Sequence, residues 1–241
     1  MQKFFYCLRR LFSIPSLVLV NGKWRTGKTD MSLLISELLL KMKLVSMVGS
    51  NIQIDNDKTY DYITSLTELK YWLHKNRRRK LYILDEANVH LFRRDAMTKK
   101  TTTFIKLLGE VSKAHAKIII IGQEIEEIDS ILLNPTWCRG IINKLSKTKA
   151  EIKSKLIIPN YIKFTGIPKT RLKFDPDNIA PFTQQPEEGI KRMFKDEEKR
   201  LLWRWSTGES CEKLGLHPMQ LNRKVRKFVK GVLEPSIDFH L

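Results

Sequence analysis

The stretch that most constrains this chain is Gly22-Lys-Trp-Arg-Thr-Gly27-Lys28-Thr29. It lies between the apolar run Ser16–Val20 and a helical pattern over residues 30–43. The spacing G-x-x-x-x-G-K-[ST] has a chemical reason at each fixed position. The two glycines let the main chain bend so that its N–H groups point inward at phosphate oxygens. The loop opens into a helix N-terminus, whose partial positive charge favours an anion. In this reading residues Gly22, Lys23, Trp24, Arg25, Thr26, Gly27, Lys28, Thr29 and Asp30 bind a nucleotide. Lys28 reaches the β- and γ-phosphates, and the Thr29 hydroxyl ligates Mg²⁺. The same pattern also arises by chance in a basic turn. A buried strand before it and a helix after it tell the two apart, and the flanking residues have both patterns.

The alternation continues along the chain. "LVLV" (17–20), "LVSMV" (44–48), "LYIL" (81–84) and "IIII" (118–121) are short, branched and apolar, as buried strands are. Between them lie "DMSLLISELLLKMK", "SLTELKYWLHKN" and "TTTFIKLLGEVSKAHA". The first and third place apolar residues at helical spacing. This order predicts an α/β fold, a mainly parallel sheet flanked by helices. A second zone, about 139–183, predicts more strands in "GIINKLS", "KLIIPNYIKF" and "TRLKF", in part antiparallel. "FDPDNIAPFTQQPEEG" then reads as a linker or a strap across the core.

Two polar strand ends complete a candidate site. "KLYILDEAN" closes a buried run on Asp85-Glu86. An Asp at the tip of a strand beside a phosphate loop holds Mg²⁺. The adjacent Glu86 is then placed to polarise an attacking water as general base. Gln123 stands just past the four isoleucines, where it either senses the γ-phosphate and orients water or is a loop glutamine. The catalytic candidates are therefore Glu86, Lys28 and Gln123, with Thr29 and Asp85 on the metal.

With these residues the sequence resembles the P-loop ATPases that carry an extra strand between the two phosphate motifs. Within that group it is similar to the FtsK–HerA superfamily of DNA-translocating motors, which includes viral genome-packaging ATPases and Zot-type proteins. "LDEANVHL" and "VSKAHAKIIIIGQEIEEIDSILLNPTWCRGIINKLS" carry the resemblance, which spans roughly residues 16–145. It implies a RecA-like sheet, MgATP hydrolysis, and a homo-oligomer, commonly a hexameric ring. In such a ring an arginine of one subunit reaches the γ-phosphate of the next. Arg93, Arg94 and Arg139 are the candidates, each alternatively a surface base.

Composition narrows the partner. The 241 residues carry 44 Lys+Arg against 26 Asp+Glu, a formal net charge of +18. That excess favours a polyanion, nucleic acid or an anionic membrane surface. Cys7, Cys138 and Cys211 are too few and too scattered for a disulfide framework or a metal cluster, which points to a cytoplasmic location. No apolar run approaches the ~20 residues that span a bilayer. Residues 1–15 are amphipathic, with Phe4, Phe5, Leu8, Leu11 and Phe12 among basic residues. They read as a helix packed on the core or on a neighbouring subunit, or as a peripheral membrane or capsid contact.

The chain divides into an ATPase domain, 1–183, and a small all-α module, 187–241. "STGESCEKLGLHPMQLNRKVRKFVKG" has helix-turn-helix spacing, with Cys211 at the helix crossing, Gly215 at the turn and Pro218 in the next first turn. Gln220, Asn222, Arg223, Lys224, Arg226 and Lys227 then face outward and suit double-stranded DNA. Lys224 departs from the pattern, and a solvated helix packed on the core is the other reading. The basic run "HKNRRRK" (74–80) is either a helix end or a phosphate-backbone contact. Three functions follow: an ATP-driven DNA motor of a virus or plasmid, an ATP-switched site-specific DNA-binding regulator, or a Zot-like membrane-associated morphogenesis ATPase.

Overall fold

The computed structural model describes residues 2–55, 59–75, 79–87, 99–123, 130–176 and 180–182. The described strands are β1 (Ser16–Asn21), β2 (Met47–Ser50), β3 (Tyr60–Tyr62), β4 (Lys80–Leu84), β5 (Ala116–Ile121), β6 (Cys138–Ser146), β7 (Lys149–Lys153) and β8 (Tyr161–Phe164). They form one sheet in the order β3-β2-β4-β5-β1-β6-β7-β8. β1 to β6 run parallel, and β7 and β8 add an antiparallel edge. The helices are α1 (Gln2–Phe12), α2 (Lys28–Lys41), α3 (Leu66–His74) and α4 (Lys99–Lys113). The mainly parallel sheet flanked by helices agrees with the sequence.

Alternation along the central strands builds the two sides of the core. Val18, Val20, Ile119 and Ile121 pack with α1 and α2, while Leu17, Leu19, Ile118 and Ile120 pack with α3 and α4. That double burial is why these strands read as unbroken apolar runs. α1 lays Phe4, Cys7, Leu8, Leu11 and Phe12 into the first side. The buried face of α1 is thus covered within the chain, while Tyr6 and Ile14 stay exposed. Among the described residues no helix is long and apolar enough to cross a membrane. α3 begins on a reciprocal cap: Ser65 Oγ accepts from the Glu68 N–H (3.1 Å), and Glu68 Oε2 accepts from the Thr64 N–H (2.8 Å).

Several elements differ from the sequence reading. The strand expected at 44–48 starts at Met47, because the Leu44 and Val45 N–H groups turn back to the Leu39 carbonyl and close α2. β3 and β7 were not expected. β3 is only three residues, and β7 (KAEIK) carries charges where an apolar run would show. Within "KLIIPNYIKF" only Tyr161–Phe164 forms a strand, and "TRLKF" gives a single antiparallel bridge, Phe174 to Ile54. In the basic run, Lys80 caps a helix. Its ammonium donates to the Trp72 and Leu73 carbonyls at the end of α3, each at 2.6 Å.

Candidate nucleotide site

In a parallel sheet the C-terminal strand ends share one edge, and ligands bind in the crevice there. Here that edge gathers Asn21, Asn51, Asp85, Gln123 and Asn143–Lys144 from β1, β2, β4, β5 and β6. β5 lies between the loop's strand β1 and the acidic strand β4, as the resemblance implies.

The loop has the backbone its glycines were expected to allow. Gly22 has φ 147°, and a Cβ there would lie 2.3 Å from the Lys144 carbonyl oxygen. Gly27 has φ 83° and stands at the N-cap of α2. Arg25 also sits in the left-handed region, at φ 59°. The Thr26 hydroxyl donates to the Lys23 carbonyl (2.8 Å), and Trp24 faces solvent. The Gly22 N–H reaches the Gln123 carbonyl at 3.3 Å, so the end of β5 is joined to the loop through main chain.

Lys28 donates to the Gly22 and Lys23 carbonyls, at 2.9 and 3.1 Å. Burial pushes its pKa down, and the Asp85 charge opposes that. Thr29 Oγ1 donates to Asp85 Oδ2 at 2.7 Å, so the two residues expected on the metal already touch across 56 positions of sequence. One hydroxyl and one carboxylate fit Mg²⁺, which keeps several waters and takes its other ligands from phosphates.

Burial pushes the Asp85 carboxyl up, while the Thr29 hydroxyl, the Glu86 N–H and the Lys28 charge hold it down. Glu86 occupies the left-handed region at φ 54°, and its N–H donates to Asp85 Oδ1 (2.8 Å). A non-glycine residue held there is strained, and such strain clusters at working sites. The Glu86 carboxyl is raised, first by burial and then by the Asp85 charge, which makes it a stronger base.

Sequence reasoning missed two residues. Asn51, fully buried, grips the Asp85 peptide from both sides. Its Oδ1 accepts from the Asp85 N–H (2.8 Å), and its Nδ2 donates to the Asp85 and Ala180 carbonyls (both 3.2 Å). Lys144 is buried under the loop, donates to the Lys147 carbonyl (2.9 Å), and is held below an ordinary lysine pKa by burial, against the Asp30 charge. A polar residue just past a parallel strand was the available signal for Asn51, whereas Lys144 lies inside β6 and carried none. Asp30 accepts from the Thr170 N–H at 3.3 Å.

Arg139 is the second residue of β6, in the irregularity between the Leu17–Cys138 and Val18–Gly140 pairs, at the opposite strand end from the loop. Arg93 and Arg94 lie outside the described residues, as does the 187–241 module with Gln220, Asn222, Arg223, Lys224, Arg226 and Lys227.

No family model and no curated protein matches the chain. Among solved structures it is similar to the genome packaging NTPase B204 from Sulfolobus turreted icosahedral virus 2, crystallised with AMP. That pair is 13% identical with a TM-score of 0.48, covering 64% of this chain and 98% of that one. The N-terminal domain of zonular occludens toxin from Neisseria meningitidis is 16% identical, with a TM-score of 0.44 over 68% of this chain and 96% of that one. The flagellar accessory protein FlaH from Methanocaldococcus jannaschii is 16% identical, with a TM-score of 0.46 over 70% and 95%. By its strand order, its glycine-bent loop at the N-terminus of α2 and the acidic strand end bonded to that loop, the chain has the fold of a P-loop NTPase.

Proposed function

We propose that the protein hydrolyses MgATP and couples hydrolysis to work on double-stranded DNA, as an oligomeric motor of the FtsK–HerA kind in a virus or plasmid. The observation that carries the reading is the 2.7 Å bond between Thr29 and Asp85. A basic turn has no reason to place its threonine against the carboxylate of a strand end. Residues 22–29 hold the triphosphate, with Lys28 on its β- and γ-oxygens. Thr29 and Asp85 hold Mg²⁺, which when bound draws charge from the phosphates. Glu86 takes the proton of the attacking water. The formal net charge of +18 supports a polyanionic partner.

The test is an ATPase assay with and without duplex DNA over a salt series, beside a mass measurement of the assembly. The expected result is turnover that rises with duplex DNA, falls back as salt increases, and belongs to a species heavier than one chain. Absence of turnover in every condition overturns the reading.

A further inference from the structure

Residues 138–176, which form and follow the antiparallel edge, hold ten Lys or Arg against two Asp or Glu. On β7 and β8, Ala150, Ile152, Ile162 and Phe164 pack with the α1/α2 side of the core. Alternation leaves Lys149, Glu151, Lys153, Tyr161 and Lys163 on the other face. Two ammonium groups approach the Tyr161 ring, Lys153 Nζ at 5.7 Å and Lys163 Nζ at 5.6 Å from its centroid. The ring itself is held. Its hydroxyl donates to Glu151 Oε2, and the Asn143 amide donates to Glu151 Oε1 at 2.9 Å. Glu151 also lies 3.7 Å from Lys153, whose side chain is 56% exposed.

We propose that this face of β7 and β8 docks the phosphate backbone of double-stranded DNA, with Lys153 and Lys163 as contacts and Tyr161 as the strut that sets their spacing. The proposal rests on the DNA-motor reading above and assigns it a surface. Neighbouring strands are ~4.8 Å apart, and same-face residues along a strand ~6.6 Å. Duplex DNA carries one charge per ~1.7 Å of axis, so several phosphates fall within reach of two neighbouring ammonium groups. An anionic membrane would draw the aromatic ring into the lipid, whereas the Tyr161 hydroxyl is tied to Glu151 on its own face. The face is also joined to the phosphate loop. Lys163, Glu151, Asn143 and Asn21 form one cross-strand row, and Asn21 precedes Gly22.

The experiment measures binding of the full chain to a fluorescent duplex, without nucleotide, over a salt series. Three variants accompany the native protein: K153Q/K163Q, E151Q, and K41Q/K43Q as a control of equal charge change at the far end of α2. K153Q/K163Q is expected to bind about tenfold or more weakly, with a log–log salt slope smaller by about 2. E151Q frees both ammonium groups, keeps one acceptor oxygen for the Asn143 amide and turns an amide N–H toward the Tyr161 hydroxyl, which then accepts; it is expected to bind more tightly. The control is expected to bind as the native chain does. Equal losses in both double variants, or no loss in K153Q/K163Q, overturn the surface while leaving native DNA binding and the motor reading in place. Native protein that binds no duplex overturns both. Loss of binding to phosphatidylserine vesicles in K153Q/K163Q, with duplex binding intact, overturns the DNA assignment in favour of lipid.

Discussion

Asn51 and Glu86 show how single side chains set the site. Asn51 bonds to both ends of the Asp85 residue, N–H and carbonyl, so it fixes the direction from which the carboxylate leaves the strand. Asn51→Ala should lower turnover ~10–100-fold and raise the Mg²⁺ concentration needed for half-maximal activity, the size of loss usual when a metal ligand loses its support. A mere fold defect would leave the Mg²⁺ requirement of the surviving enzyme unchanged, so a magnesium titration separates the two. Glu86→Gln keeps the side chain's shape and removes the proposed base. Turnover should fall ~10²–10⁴-fold while ATP binding persists, whereas Lys28→Ala should weaken binding itself. Equilibrium binding of a fluorescent ATP analogue, read beside turnover, distinguishes them. Because burial and Asp85 raise the Glu86 carboxyl, the acid limb of the pH–rate profile should lie above the ordinary glutamate range. Activity is lost as pH falls through that raised value.

Elements were legible where burial on both faces left an unbroken apolar run. β1, β4 and β5 were found nearly to the residue, since every side chain of each is buried. The edge elements were legible only in part: the expected strand at 155–164 contains β8, while β3 and β7 were not expected. β7 and β8 mix core residues with exposed lysines, and the pairing that makes them strands lies between segments the sequence does not align. The phosphate loop and Asp85-Glu86 were legible because chemistry fixes residue type and spacing together. Asn51 was not, because a lone asparagine after a short strand reads as a turn until its partners are seen. α1 was legible as amphipathic, but its partner was open among core, subunit and membrane. Leu8 is fully buried in the core of its own chain. Leu8→Ala should therefore cost about 2–5 kcal/mol in denaturant unfolding. An effect confined to lipid binding or assembly would contradict that placement.

At the scale of the whole molecule, positive charge reaches inside the protein. Lys117 is buried on β5, and its pKa is pushed down to about 8 by burial and then by the Arg79 charge. Its ordinary value is 10.5, so the unfolded chain binds the proton more tightly than the native state does. Between about 8 and 10.5 stability therefore rises with pH, and below about 8 the full penalty is present. Lys80, also about 8, contributes in the same direction, though its ammonium has two carbonyl acceptors. Lys117→Met should raise the melting temperature by a few degrees at pH 7 and by less at pH 10. Melting curves at the two pH values check the sign.

The amide of Asn51 also holds the Ala180 carbonyl, and two residues later Phe182 is buried in the α3/α4 side of the core, its ring 6.1 Å from Tyr82. Tension in the polypeptide beyond Phe182 must therefore pass an anchored ring and then the same amide that steadies Asp85. A displacement there either drags the Asp85 carboxylate along or snaps a contact that steadies it.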